Sequence, residues 1–245
     1  MDPIQQFNSE KDVNIAALGE DEELRQTAVK FMMDSAAHKY TYNFTWLGRP
    51  IIQFPQDIIA LQEIIWKVRP DLIIETGIAH GGSLIFSASM LELIGGEGRV
   101  LGIDIDIREH NRKEIENNPM AKRITMIQGS SVDNSVVDEV KQFAKGSKRV
   151  IVILDSNHTH EHVMQELNAY SSLVTPGSYL IVFDTAVEDL PEGYDWGARP
   201  WGKGNNPKTA VREFLRQHQE FVIDNSVHNK LLITVAPDGY LKRIK

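Results

Sequence analysis

From Arg69 onward the sequence alternates short apolar runs with amphipathic ones, and no other feature restricts the fold as much. Five runs have strand character, at 72–75, 100–104, 124–128, 150–155 and 178–184. Between and after them, helical spacing is expected near 82–93, 108–117, 132–144, 160–173 and 207–218. Strands that alternate with helices form right-handed βαβ units, so the expectation is a parallel sheet covered by helices on both faces.

Two earlier segments also read as helices. One is 21–37, with Asp21, Glu22 and Glu23 suited to the dipole of the first turn and Leu24, Ala28 and Phe31 on one face. The other is 55–68, with Pro55 in the first turn and Ile58, Leu61, Ile65 and Val68 on one side. The division expected is a helical extension over 1–54 and an α/β domain over 55–245. After residue 218 the alternation stops. The runs 221–224 and 231–235, joined by the polar segment 225–230, read as an antiparallel hairpin. Five parallel strands closed by such a hairpin make a seven-stranded, mostly parallel sheet, which resembles the Rossmann-like sheet of class I methyltransferases.

Charge and composition narrow the partners. The chain has 245 residues with 34 acidic and 26 basic side chains, a net charge of -8, which disfavours nucleic acid and acidic membrane surfaces and suits a small molecule. With no cysteine, disulfides, thiolate metal sites and cysteine nucleophiles are excluded. Neither a signal peptide pattern nor an apolar run near the ~20 residues of a membrane span is present, and a cytoplasmic protein is expected.

Ligands of an open parallel sheet bind beyond the carboxyl ends of its strands, so the residues that close each strand carry the chemistry. Four of the five runs end in a carboxylate: Glu75, Asp104, Asp155 and Asp184. The first continues as Glu75-Thr76-Gly77-Ile78-Ala79-His80-Gly81-Gly82-Ser83, a loop in which Gly77 permits a tight turn and Gly81 and Gly82 permit close backbone approach to a cofactor. Its spacing is not that of a dinucleotide fingerprint, which argues against NAD and FAD. Taken by itself the loop could be no more than a tight strand-to-helix connection. Asp104, at the second tip, is placed to accept two ribose hydroxyls, or to cap the next helix. Ser130 and Ser131, after the third, could bond an adenine edge or cap a helix.

The fourth run leads into Asp155-Ser156-Asn157-His158-Thr159-His160-Glu161-His162. A carboxylate with a histidine three residues on could supply a metal ligand beside a general base, and Asp184 from the neighbouring tip could share a hard ion such as Mg²⁺. His160 and His162 are expected on the following helix, away from the site. The string fails the H-x-H-x-D-H spacing of metallo-β-lactamase-type hydrolases, because Glu161 and His162 each arrive one position early.

Several strings together resemble the cephalosporin hydroxylase family over about residues 40 to 245: Ile74-Glu75-Thr76-Gly77, Leu154-Asp155-Ser156-Asn157-His158-Thr159-His160, Pro176-Gly177-Ser178-Tyr179-Leu180, Arg199-Pro200-Trp201-Gly202 with Gly204-Asn205-Asn206-Pro207, and Asn229-Lys230-Leu231-Leu232-Ile233-Thr234. Despite the name, that family is similar to S-adenosylmethionine-dependent O-methyltransferases, including enzymes acting on rhamnosyl groups and macrolides. The resemblance implies S-adenosylmethionine bound by Glu75, Gly77, His80, Gly81, Ser83, Asp104, Ser131 and Asp155, with His158 as base and Mg²⁺ on Asp155 and Asp184. It departs from the family at Phe183, where relatives carry a further acid. The expected acceptor is a hydroxyl of a sugar or natural product, and a homo-oligomer is expected. Trp196 and Trp201 could close over that acceptor or anchor their loop. The alternatives are a hydroxylase, for which the facial-triad and flavin signatures are missing, and a catalytically inactive nucleoside-binding subunit.

Overall fold

The computed structural model describes residues 2–194 and 197–245. Its centre is a seven-stranded sheet in the order β5-β4-β3-β6-β7-β9-β8. The strands are β3 (Leu72–Thr76), β4 (Arg99–Asp104), β5 (Ile124–Gln128), β6 (Val150–Leu154), β7 (Tyr179–Val182), β8 (Phe221–Ile223) and β9 (Tyr240–Arg243). The first five run parallel, whereas β9 pairs antiparallel with both β7 and β8. The chain order reverses between β3 and β6, so the crevice that a ligand would use opens above those two strands and their neighbours.

Apolar side chains on alternate positions of the strands feed two cores. On one face Ile73, Ile151 and Ile153 pack with Ile58, Leu61 and Ile65 of α3 (Pro55–Val68), Leu84 and Phe86 of α4 (Gly82–Ile94) and Ile115 of α5 (Glu109–Glu116). On the other, Ile74, Val152 and Leu180 pack with Val136 and Val140 of α6 (Asn134–Ala144), Val163 and Leu167 of α7 (His160–Tyr170) and Val211 and Phe214 of α8 (Pro207–Gln217). β3, β6 and β7 are buried along their whole length, as a parallel sheet sandwiched between helices requires.

Helix α4 is buried at every residue from Leu84 to Leu91, so it is covered on the side away from the sheet as well. A two-stranded ribbon, β1 (Thr45–Trp46) and β2 (Arg49–Pro50), provides that cover. Trp46 meets Phe86 edge-on with ring centroids 4.8 Å apart, and its indole N–H donates to Ser89 Oγ at 2.9 Å.

Three elements differ from the sequence expectation. The helix over 21–37 is present as α2 (Glu22–Ala36), but it is preceded by α1 (Pro3–Glu20), which buries no residue and so leaves no amphipathic stripe to read. The second hairpin strand is β9 at Tyr240–Arg243, not 231–235. Asp224 caps a short helix, α9 (Asn225–Leu231), by accepting from Ser226 N, and the apolar run after it is diverted: Thr234 Oγ1 and Val235 N both donate to Asp57 of α3. Among the described residues no helix is long and apolar enough to cross a membrane.

Candidate active site

At Gly77 the chain leaves β3 with φ +92°, and a Cβ there would overlap the carbonyl oxygen of Asp155 at the tip of β6. Glycine lets the two strand ends cross this closely. The next residues form a loop fastened from behind. Asp104 Oδ2 accepts from Ile78 N at 2.8 Å and Ala79 N at 3.2 Å, while its Oδ1 accepts from Asp106 N at 3.0 Å. Arg49 of β2 donates twice to the His80 carbonyl, at 3.0 and 2.8 Å, and once to Asn111 Oδ1. Asn111 in turn donates to the Ala79 carbonyl. Arg49 and Asn111 lie far from the loop in sequence and carry no motif, so sequence reading misses them.

Asp104 therefore spends three of a carboxylate's roughly four acceptor directions on backbone N–H groups, and so shapes the loop. Gly81 and Gly82 also serve packing: a Cβ on Gly81 would strike Ile115, and one on Gly82 would strike the Pro50 carbonyl.

Two clefts flank Gly77. One, of about 110 Å³, is lined by Ile103, Asp104, Ile105, Ser130, Ser131, Ser156, Asn157 and His162. The other, of about 50 Å³, is lined by Pro50, Gln53, Ala79, His80, Ser83 and Asp155. Below the second, Glu75 is 1% exposed. Ser83 Oγ donates to its Oε1, but its Oε2 has no partner among the described residues. Burial pushes the Glu75 carboxyl up to about 7, against the smaller lowering effect of the Ser83 bond. An unpartnered buried acceptor of this kind fits a ligand that brings an N–H or ammonium group.

Asp155, which lines the smaller cleft, gathers with His158 and Asp184 so that one ligand atom from each lies within 4.8 Å of the others. His158 Nε2 is 3.6 Å from Asp184 Oδ2. Burial, then the charges of Asp184 and Glu75, hold the Asp155 carboxyl well above the usual carboxylate range. Two carboxylates and an imidazole are donors that suit a hard divalent cation. Asp184 reaches the cluster by taking the left-handed conformation, φ 56°, directly after β7. Phe183 is 2% exposed and turned into the apolar core with Ile153 and Ile181, so the fifth tip offers its carboxylate from 184 alone.

Trp201 packs edge-on to His158, centroids 4.7 Å apart, and the Arg199 guanidinium lies over the indole. The loop carrying them is pinned by the buried Asn206, which caps α8 and donates to Glu188 Oε2 and the Gly202 carbonyl. Trp196 lies outside the described residues.

The other histidines separate. His160 is tied to α8, through Thr209 Oγ1 at 2.8 Å and Glu213 at 3.3 Å, away from the clefts, as expected. His162 is not behind the site: it lines the larger cleft, with Nε2 3.1 Å from Ser131 Oγ and 3.2 Å from Ser156 Oγ. Neither Ser130 nor Ser131 caps a helix, because α6 starts later with Asp133 as its N-cap.

Asp57 was also invisible to motif reading. It is fully buried, accepts from Thr234 Oγ1, Val235 N and Tyr240 OH, and sits close enough to Asp184 for the two charges to interact. Burial lifts its carboxyl to about 6. The Val235 carbonyl accepts from Ala186 N, so Asp57 indirectly braces the turn that presents Asp184.

Comparison with known proteins follows this geometry. The sequence profile described as Rhamnosyl O-methyltransferase/CmcI matches residues 38–244. Rhamnosyl O-methyltransferase of Mycobacterium leprae is 28% identical over 214 residues, covering 84% of this chain and 88% of the relative. The Mycobacterium tuberculosis protein of the same name is 28% identical over 217 residues, covering 84% and 83%. Among solved structures, a Mg–SAM form of CmcI superposes with a TM-score of 0.59 at 21% identity, covering 83% of this chain and 78% of that one. An SAH form gives 0.59 at 22%, covering 87% and 92%. With the profile spanning most of the chain, the chain belongs to the Rhamnosyl O-methyltransferase/CmcI family.

Proposed function

We propose that this O-methyltransferase moves a methyl group from S-adenosylmethionine to a hydroxyl of a sugar or glycosylated natural product, with His158 as general base and Mg²⁺ held by Asp155 and Asp184. The observation that carries the reading is the convergence of Glu75, Asp155, His158 and Asp184 at the tips of β3, β6 and β7, beside the strand crossing that only Gly77 allows. The names of the relatives support the donor and the class of acceptor: rhamnosyl O-methyltransferase for the sugar, Mg–SAM and SAH for the ligands of CmcI.

S-adenosylmethionine, when bound, supplies a sulfonium methyl group that is already electrophilic, so alignment is the main task left to the protein. Gly77 and the fastened loop beside it form the cradle, and the free Glu75 Oε2 awaits a donor group there. Mg²⁺, when bound, supplies a fixed positive charge that lowers the pKa of a neighbouring hydroxyl. His158 accepts the acceptor's proton, and the Asp184 carboxylate 3.6 Å from Nε2 stabilises the imidazolium that results. Trp201 against the ring limits its rotation and its exposure to water. We extend the proposal to a homo-oligomer, supported by Ile4, Phe7 and Val13, which stand 65 to 70% exposed on α1; light scattering tests it.

The decisive experiment is a screen of rhamnosides and other glycosides with methyl-labelled S-adenosylmethionine. Label in an ether product, lost in His158→Ala, is the expected result. No transfer to any glycoside, together with no calorimetric binding of S-adenosylmethionine, would overturn the reading.

A further inference from the structure

The larger cleft beside Gly77 is backed by a buried carboxylate that takes no part in the chemistry above. Glu166 of α7 is 0% exposed, and its Oε1 accepts from two hydroxyls, Ser131 Oγ at 2.6 Å and Ser156 Oγ at 2.7 Å. Its Oε2 has no partner among the described residues. Ser131 follows β5 and Ser156 follows β6, so the two hydroxyls come from opposite walls and meet on one oxygen. His162, one helical turn before Glu166, completes the group with Nε2 3.1 Å and 3.2 Å from the two serine oxygens.

The protons in this group can be counted. A carboxylate oxygen only accepts, so each serine hydrogen is committed to Glu166. No serine hydrogen remains for His162. The hydrogen between the imidazole and the serines must then be carried by Nε2, which fixes the ring as a donor to them. Each serine oxygen has one donation made and one received, and what remains on each is a lone pair. Ser131, Ser156 and His162 all line the cleft, whereas Glu166 does not.

We propose that Glu166 sets the hydrogen-bond polarity of this cleft, making Ser131 and Ser156 obligate acceptors that select a 6-aminopurine nucleoside over a 6-oxopurine one. An exocyclic amino group brings two N–H donors to two lone pairs. A carbonyl oxygen at the same ring position brings more lone pairs and is repelled. Glu166 is a positioning residue in this arrangement, since it acts through the serines and does not line the cleft. The inference rests on the cofactor reading above and adds to it the atoms that read the base.

The test is calorimetric binding of S-adenosylhomocysteine and S-inosylhomocysteine to the full chain. Wild type should prefer the adenosyl compound by roughly 30-fold or more, the scale of rejection when buried polar groups lose their partners. Glu166→Gln gives a serine a hydrogen to aim elsewhere, so the preference should shrink at least several-fold. Ser156→Ala should weaken the adenosyl compound about 5- to 10-fold and leave the inosyl compound within about 2-fold, the effect of one lost hydrogen bond. A merely structural role would weaken both ligands together and keep the ratio. Equal binding of the two compounds by wild type, or an unchanged ratio in Ser156→Ala, overturns the inference while the cofactor reading survives; failure of wild type to bind either compound overturns both.

Discussion

Nε2 of His158 stands 3.6 Å from Oδ2 of Asp184, so the base of the proposed reaction and one of its metal ligands share a single electrostatic unit with Asp155. Removing any member changes the charge that the other two experience.

The first consequence concerns the ion. Asp155 is held well above the usual carboxylate range by burial and by Asp184, whereas a cation bound there favours the ionised carboxylate, so metal binding is linked to proton release. Affinity for Mg²⁺ or Mn²⁺ should rise with pH, with release of a proton on binding. Calorimetry at about pH 6 and pH 8 in buffers of different ionisation heat measures both. Asp155→Asn and Asp184→Asn should each lose ~10-fold or more in metal affinity; wild-type binding in both variants would remove the site.

His158→Ala should lower the chemical rate by ~10²–10⁴-fold with S-adenosylmethionine affinity nearly intact, the usual contribution of a positioned base. His160→Ala, tied to Glu213 on α8, is the control and should change the rate little. His162→Ala is no control, because that ring lines the larger cleft; it should weaken cofactor binding. Turnover retained in His158→Ala but lost in His160→Ala would reassign the base.

Glu75 should set stability against function. Its carboxyl is raised to about 7 from 4.5. The folded protein thus keeps a proton that the unfolded chain releases across that window, and stability falls as pH rises from about 4.5 to 7, by up to ~3 kcal/mol. Glu75→Gln removes the titration: it should melt higher than wild type at about pH 8, converge with it near pH 4.5, and bind S-adenosylmethionine more weakly. Melting curves that differ equally at both pH values would show that Glu75 does not titrate in this window.

Asp104→Asn replaces an acceptor for three backbone N–H groups with a side chain that carries donors of its own. We expect a loss of ~1–3 kcal/mol in stability and faster hydrogen exchange at Ile78 and Ala79, along with weaker cofactor binding. If exchange at those two amides is unchanged while cofactor affinity falls, the carboxylate serves the ligand alone.

How much of this was legible in sequence depends on how local its cause is. The five parallel strands were placed within about two residues because each is written as its own apolar run. Glu75, Asp155 and Asp184 follow from reading what closes those runs. His158 and Asp184 meet because neighbouring strands end side by side, which topology alone predicts. β9 was missed because its four residues look like many short runs, while the more apolar 231–235 is used up by Asp57, a contact that no periodicity announces. His162 was misplaced for a related reason. The i, i+4 pairing with Glu166 is visible on the helix, but the cleft is made by Ser131 arriving from another strand. Arg49 and Asn111 likewise act only through tertiary contact.

The position of β9 between β7 and β8 has a consequence for biosynthesis. Five parallel strands and all the described helices are made before it, yet until residues 240–243 leave the ribosome the free edge of β7 has no partner, and β8 has no strand to join. A stalled or truncated nascent chain would display an unpaired, wholly apolar strand edge, the kind of surface that recruits other chains. Emergence of residues 240–243 is therefore the event that turns a sticky translation intermediate into a closed sheet, and termination anywhere before Tyr240 should yield aggregates in place of a shortened enzyme.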